Sequence, residues 1–208
     1  MRMHLDESEI PLGCRGQICE EKKVVVIALG GHAQFLQLGA VHTPALKGEE
    51  VTYLTERIGD VACVLAEMGD AIAIRSYEKG HRIICKFAEC SRVPVTNMED
   101  DTYHPCKALA DVMTIQEKLG QNFQGKKFVM SRAYSCSVGK PLAVPQSAII
   151  STEMIGMDVT LADPKGLDLD TELLQTTKDL AKKTGGAFKI SHDMDASFKD
   201  ADVVCPKT

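Results

Sequence analysis

Apolar residues occur along the chain in two alternating patterns, helical spacing and short continuous runs. Between Val51 and Met68 they recur every three or four residues, which predicts a helix. Ala71–Arg75 predicts a short buried strand, and His81–Cys90 predicts a second helix. Val93–Thr96 predicts a strand near a sheet edge, because a proline inside a strand cannot donate a backbone hydrogen bond.

The clearest helical segment runs from Pro105 to Leu119. Proline suits the first turn of a helix, and the glycine at position 120 ends it. Its apolar positions predict a buried face made of Leu109, Val112, Met113 and Leu119. The polar, glycine-containing stretch 120–127 follows and predicts a hinge between two parts of the chain.

The second half repeats the alternation of strand and helix. It predicts, in order, a strand at Phe128–Ser131, a helix at Pro145–Ile155, a strand at Asp158–Leu161, a helix capped by Asp170 and ended by Gly185, and a strand at Val203–Val204. This alternation is typical of α/β proteins. We therefore predict two doubly wound parallel-sheet (Rossmann-like) domains, residues 1–121 and 122–208. In such sheets ligands bind beyond the carboxyl ends of the strands, here the loops after Arg75, Thr96 and Arg132.

Composition and charge exclude several classes of protein. The 208 residues are 44% hydrophobic and 25% charged, which is ordinary for a globular protein. A net charge of -5 argues against a nucleic-acid-binding protein, and the longest apolar run is too short to span a membrane. The start of the chain has no apolar signal core, and the eight cysteines are scattered without a CxxC pair. Free thiols and a cytoplasmic location are expected, with no metal site.

Two residues have positions suited to binding an anion or a carbonyl group. His104 lies at the N-terminus of the predicted Pro105 helix, where a neutral imidazole can donate a hydrogen bond to a carbonyl oxygen that gains charge. A simple capping histidine is the alternative. Arg75 ends a predicted strand, where a guanidinium can bind a phosphate or a carbonyl. A surface arginine after a buried strand is the alternative.

The segment His104-Pro105-x-x-Ala108-Leu109-Ala110-Asp111, followed by Thr114-Ile115, resembles the HPxQALAD segment of the aspartate and ornithine carbamoyltransferases. The resemblance implies that His104 and Arg75 are catalytic and contact the carbonyl of carbamoyl phosphate. It also implies that Lys107, which stands where the family has Gln, binds substrate. The stretch 45–50 resembles a family loop in which a basic residue, here Lys47, reaches a phosphate from a neighbouring subunit; a solvated turn is an equal alternative.

The stretch Met130–Gln146 resembles a branch of the same family with a deep trefoil knot in its second domain. This implies that Ser137 and Lys140 line the side of the second substrate. The family's main phosphate loop, Ser-Thr-Arg-Thr-Arg, is not recognisable, and Cys14–Cys19 stands in its place. The resemblance spans roughly residues 28–207, whereas family members are longer by on the order of a third. We therefore expect a chain truncated at both ends, with both domains incomplete.

The resemblance implies a carbamoyltransferase that moves a carbamoyl group from carbamoyl phosphate to an amino-acid-like or related nucleophile. It also implies a homotrimer when full length and no cofactor, while the charge and the short apolar runs already predict no nucleic acid and no membrane as partners. Two other hypotheses remain open. One is a catalytically inactive truncated homologue that keeps only a ligand-binding or oligomerisation surface. The other, a nucleotide-dependent dehydrogenase, is weak because no GxGxxG motif follows a strand.

Overall fold

Strands and helices alternate through the chain in the computed structural model, which describes residues 30–36, 44–47, 50–54, 57–77, 80–133, 142–166 and 168–207. The elements are β1 (Pro44–Lys47), β2 (Glu50–Leu54), α1 (Ile58–Glu67), β3 (Ile72–Arg75), α2 (Gly80–Cys90), β4 (Val95–Glu99), α3 (Pro105–Leu119), β5 (Lys127–Arg132), α4 (Ala143–Met154), β6 (Asp158–Ala162), α5 (Thr171–Thr184), β7 (Ala187–Ser191), α6 (Met194–Phe198) and β8 (Val203–Lys207).

The predicted helix from Val51 to Met68 is wrong in its first third. Residues 50–54 form strand β2, which pairs antiparallel with β1, and the helix α1 begins only at Ile58. The segment Val51-Thr52-Tyr53 consists of β-branched and aromatic residues, which fit a pleated strand better than a helix. Over so short a segment, the spacing of apolar residues alone does not distinguish a strand from a helix.

Strands β3 and β4 pair in parallel, and helices α1 and α2 cover their apolar side chains. The core of this unit is formed by Val61, Ala62, Ile74, Ile84 and Phe87. Strand β4 begins two residues later than predicted, at Val95. The Pro94 carbonyl still accepts a hydrogen bond from the amide of Ile72 at 2.9 Å, so the proline joins the pairing only as an acceptor.

A bulge interrupts the pairing of β3 and β4 near their carboxyl ends. Ile74 lies opposite Asn97, but Arg75 lies opposite Glu99, so Met98 is the extra residue on β4. A bulge changes the direction in which the following side chain points. Here it brings Glu99 beside Arg75, at the edge where ligands bind in parallel sheets.

The second sheet has the order β7-β6-β5-β8, and all of its strands are parallel. The predicted α/β class is therefore confirmed, while the proposed boundary at residues 121 and 122 stays a prediction. Asp170 caps the start of helix α5 through its side chain, which accepts from the Leu173 amide, and Gly185 caps its end with a φ of 83°. The main core lies here and contains Ile115, Phe128, Met130, Ala148, Ile149, Met157, Val159, Leu161, Leu169 and Leu173.

Helix α3 spans Pro105 to Leu119 as predicted, but its predicted buried face is right only in part: Val112 is half-buried and Leu119 packs against the core, while Leu109 and Met113 do not. Leu109 is 61% exposed and Met113 is 52% exposed, whereas Ile115 is 5% exposed. The helix turns Ile115 into the core of the second sheet, so the buried stripe is rotated away from Leu109 and Met113. Among the described residues, none of the helices has both the length and the apolar character needed to cross a bilayer.

Candidate functional site

Arg75 and Glu99 meet at the carboxyl edge of the β3–β4 sheet. The Arg75 guanidinium lies 2.8 Å from Glu99 Oε2, and the two side chains are 19% and 7% exposed. The bulge in β4 makes this contact possible, because it sets Glu99 directly opposite Arg75. A hydrogen bond between an arginine and a carboxylate has a defined geometry, and both side chains here are mostly buried. Glu99 therefore holds the guanidinium in one place.

Tyr77 forms a second bridge between the same two groups. Its hydroxyl accepts from Arg75 Nε at 2.9 Å and donates to Glu99 Oε2 at 2.9 Å. The Arg75 guanidinium also lies over the Tyr77 ring, 5.4 Å from its centre. Burial raises the pKa of Tyr77 well above its ordinary value, and the Arg75 hydrogen bond opposes that rise only in part. The hydroxyl therefore remains a donor toward Glu99.

His104 caps helix α3 and points at the same carboxylate. The amide of Lys107 donates to His104 Nδ1 at 3.2 Å, so Nδ1 carries the lone pair. The proton of the neutral ring then lies on Nε2, which is 3.3 Å from Glu99 Oε2. The helix start thus fixes both the tautomer and the direction of the one available N–H donor.

Three donors therefore converge on one oxygen atom, Glu99 Oε2. Arg75, Tyr77 and His104 lie 2.8, 2.9 and 3.3 Å from it. This arrangement is that of a site built to hold a negatively charged or polarised oxygen. The sequence predicted Arg75 and His104 together, and the structure brings them together. Glu99 and Tyr77 were missed.

The segment between β4 and α3 is anchored on both sides. The Asp100 side chain is fully buried and accepts from the amides of Thr102 and Tyr103. The His104 amide donates to Ser147 Oγ in helix α4 at 2.7 Å. Gln146 Nε2 donates to the Thr102 carbonyl at 2.8 Å. The second sheet's first helix therefore helps to fix the position of His104.

The other predicted substrate-binding residues are placed differently. The Lys107 ammonium contacts the Asp111 carboxylate one turn along α3. Lys107 contacts His104 through its backbone amide. The backbone of Lys47 ends strand β1 opposite Glu50. Outside the described residues lie Ser137, Lys140, the side chain of Lys47 and the stretch Cys14–Cys19.

A second polar cluster lies at the carboxyl edge of the larger sheet. Arg132, at the end of β5, contacts Asp163 at 3.2 Å, and their side chains are 9% and 4% exposed. Burial raises the pKa of Asp163 to about 6, and Arg132 opposes the rise. A cavity of about 470 Å³ beside it is lined by Ala133, Pro164, Lys165, His192 and Met194. This cavity is lined by the residues that follow Arg132 and Asp163 in the chain, at the edge where the sequence predicted ligand binding.

Two models of one protein family match the two halves of the chain. The aspartate/ornithine carbamoyltransferase carbamoyl-P binding domain matches residues 23–117. The aspartate/ornithine carbamoyltransferase Asp/Orn binding domain matches residues 136–208. The first match contains the Arg75–Glu99–His104 cluster, and the second contains Asp163 but begins four residues after Arg132.

Similar proteins agree with these matches along most of the chain. The N-acetylornithine carbamoyltransferase of Xylella fastidiosa (strain Temecula1) is 36% identical over 196 residues, covering 86% of this chain and 57% of the relative. The anabolic ornithine carbamoyltransferase of Pyrococcus furiosus is 37% identical over 182 residues, covering 88% and 52%. The crystal structure of an acetylornithine transcarbamylase with acetylcitrulline has a TM-score of 0.81 at 32% identity, covering 91% of this chain and 60% of that one. The chain thus spans little more than half the length of these proteins.

Proposed function

Because this chain belongs to the aspartate/ornithine carbamoyltransferase family, we propose that the protein transfers a carbamoyl group from carbamoyl phosphate to the amino group of an amino-acid-like substrate. The family assignment rests on two matched domain models and on relatives that cover most of the chain. The proposal concerns the whole protein, since the chain spans 57% and 52% of those two relatives.

One observation supports this chemistry directly: Arg75 and His104 donate toward a single point. Glu99 Oε2 occupies that point, at 2.8 Å from the Arg75 guanidinium and 3.3 Å from His104 Nε2. A carbonyl oxygen of carbamoyl phosphate placed there would meet both donors. Because two oxygen atoms cannot share one position, the Glu99 carboxylate must swing away when carbamoyl phosphate binds.

The reaction needs positioning and charge stabilisation and no cofactor. The amine nitrogen of the acceptor attacks the carbonyl carbon, and negative charge develops on the carbonyl oxygen. Arg75 and His104 stabilise that charge through their N–H groups. The bond between the carbonyl carbon and the bridging phosphate oxygen then breaks, phosphate leaves, and the nitrogen loses a proton. Holding both reactants in line supplies the rest of the acceleration.

The acceptor is an ornithine-like amino acid in this proposal. Support comes from the relatives, which are named as ornithine and N-acetylornithine carbamoyltransferases. One similar structure contains acetylcitrulline, and another contains carbamyl phosphate and N-succinyl-L-norvaline. A homotrimer and a cytoplasmic location belong to the same proposal and rest on the family resemblance. Sedimentation of the purified protein would test the trimer.

The activity is tested by mixing the protein with carbamoyl phosphate and each of a panel of amines, and measuring phosphate release and ureido product. Ornithine and N-acetylornithine are the first acceptors to try. We expect transfer to one of them. His104→Ala should lower turnover by on the order of a hundredfold, as for loss of one oxyanion donor. Gln116→Ala, an exposed change on the same helix, is the matched control and should leave turnover unchanged.

Two results would contradict the proposal. Absence of transfer to every amine, by a folded protein, would favour the inactive homologue that keeps only a binding surface. Equal turnover of His104→Ala and Gln116→Ala would remove His104 from the chemistry even if transfer occurs.

A further inference from the structure

A cysteine and a histidine lie side by side on the outer face of helix α2. Cys85 Sγ is 3.7 Å from His81 Nε2, and the two residues are one helical turn apart. Cys85 is exposed, and the His81 side chain is 44% exposed. The thiol is therefore open to solvent and in contact with a nitrogen that can accept its proton.

A buried carboxylate fixes which nitrogen of His81 faces the thiol. Asp100 Oδ2 lies 2.9 Å from His81 Nδ1, and the Asp100 side chain is 0% exposed. Among the described residues, the other hydrogen-bond partners of this carboxylate are all donors: Asn97 Nδ2 at 2.7 Å, the Thr102 amide at 2.7 Å and the Tyr103 amide at 2.5 Å. The carboxylate thus acts as an acceptor, so Nδ1 of His81 carries the proton and Nε2 offers its lone pair to Cys85.

The other exposed thiols of the described chain have a different partner. Cys63 donates to the carbonyl of Cys90 at 3.4 Å, and Cys106 donates to the carbonyl of Asn97 at 3.7 Å. A backbone carbonyl holds the thiol proton in place and cannot remove it. Cys85 differs because its neighbour is an imidazole that a carboxylate orients. A nucleophile, a base and a group that orients the base, in that order, form the arrangement that activates a nucleophile.

We propose that Cys85, His81 and Asp100 form a reactive-thiol site at which a hydroperoxide oxidises Cys85 to the sulfenic acid. His81 Nε2 takes the thiol proton, and the resulting thiolate sulfur attacks one oxygen of the peroxide. The O–O bond breaks as the S–O bond forms, and the departing oxygen takes the proton back from His81 to leave as water or an alcohol. The sulfur loses two electrons and the peroxide gains them.

The site depends on neither the family resemblance nor the carbamoyl-transfer proposal. None of its three residues is one of the donors that converge on Glu99 Oε2. The reactive-thiol proposal therefore stands even if the protein does not transfer carbamoyl groups. The carbamoyl-transfer proposal likewise stands if the thiol is unreactive.

The test is a site-resolved labelling experiment on the 208-residue chain. The native protein is exposed to limiting hydrogen peroxide, sulfenic acid is trapped with dimedone, and peptide mass mapping gives the labelling rate of each cysteine. Cys63 and Cys106 serve as controls within the same molecule. We expect Cys85 to be labelled at least about tenfold faster than either, a modest part of what a positioned base contributes. His81→Asn should bring the Cys85 rate down to theirs.

Equal labelling of Cys85, Cys63 and Cys106 in the native chain would overturn the proposal, and this comparison needs no variant to fold. A His81→Asn chain that is folded by circular dichroism and keeps the fast rate at Cys85 would overturn the role of His81. Retention of the fast rate in His81→Gln would do so as well, since glutamine cannot act as the base.

Discussion

Glu153 is a carboxyl group whose surroundings disfavour its charged form. It lies near the end of helix α4 with a side chain that is 0% exposed, and among the described residues neither of its carboxyl oxygens has a hydrogen-bond partner. Burial raises its pKa to about 7, and the negative charge of Asp158 adds to the rise. Replacing Glu153 by Gln removes the ionisation and keeps the shape of the side chain.

The size of the effect follows from the two pKa values. The ordinary value is 4.5 and the folded value is about 7, and one pKa unit corresponds to about 1.4 kcal/mol. Because the folded pKa is the higher one, the folded state binds the proton more tightly. The contribution to stability is therefore complete below pH 4.5 and is lost as the pH rises to about 7. The loss amounts to about 3 kcal/mol.

The assay is urea unfolding of the native chain and of Glu153→Gln between pH 4 and pH 8. The lower limit is about half a unit below the ordinary pKa, and the upper limit is about one unit above the folded pKa. We expect the free energy of unfolding of the variant, relative to the native chain, to rise by about 3 kcal/mol across this range. Glu117→Gln is the matched control, because Glu117 is exposed and the same change should leave the pH dependence unaltered. If the curves for Glu153→Gln and the native chain run parallel, the buried carboxyl is not a source of pH-dependent instability.

Two further changes test the packing of the second sheet. Gly186→Ala should destabilise the chain by about 1–3 kcal/mol, because its new Cβ would lie 2.4 Å from the Met157 carbonyl oxygen. Gly69→Ala is the control, since its new Cβ would have its nearest neighbouring atom at 3.9 Å. Equal urea midpoints for the two variants would contradict the argument. Asp170→Ala should lower the free energy of unfolding by about 1 kcal/mol, because the helix cap on the Leu173 amide is lost. Asp170→Asn should keep most of that free energy. Equal decreases in both variants would show that the cap contributes nothing.

The parts of the fold marked by local chemistry could be predicted from the sequence. Pro105 and Gly120 define helix α3, and Asp170 and Gly185 define α5, because caps and stops act through bonds within a few residues. The strand β7 (Ala187–Ser191) and the short helix α6 (Met194–Phe198) were missed. Strand β7 mixes exposed and half-buried positions, so it carries no clear alternation of apolar and polar residues.

The site was predicted only in part, for a similar reason. Arg75 and His104 stand at element ends that the sequence marks, and the strand order then brings them together. Glu99 was missed because its position depends on the bulge at Met98, which sets it opposite Arg75. Register shifts of this kind are decided by the neighbouring strand and not by the local sequence. The pairing of a strand-end carboxylate with a strand-end guanidinium was the one signal that could have pointed to it.

The central claim is that the Arg75–His104 site binds carbamoyl phosphate, and calorimetric titration of the protein with carbamoyl phosphate tests it most directly. The native protein should bind. Arg75→Ala should weaken binding by at least about tenfold, the value of one hydrogen bond to a charged group. Arg92→Ala, which removes an arginine that is 59% exposed and paired with Glu67, should bind like the native protein. No binding by the folded native protein, or equal affinities for Arg75→Ala and Arg92→Ala, would contradict the account.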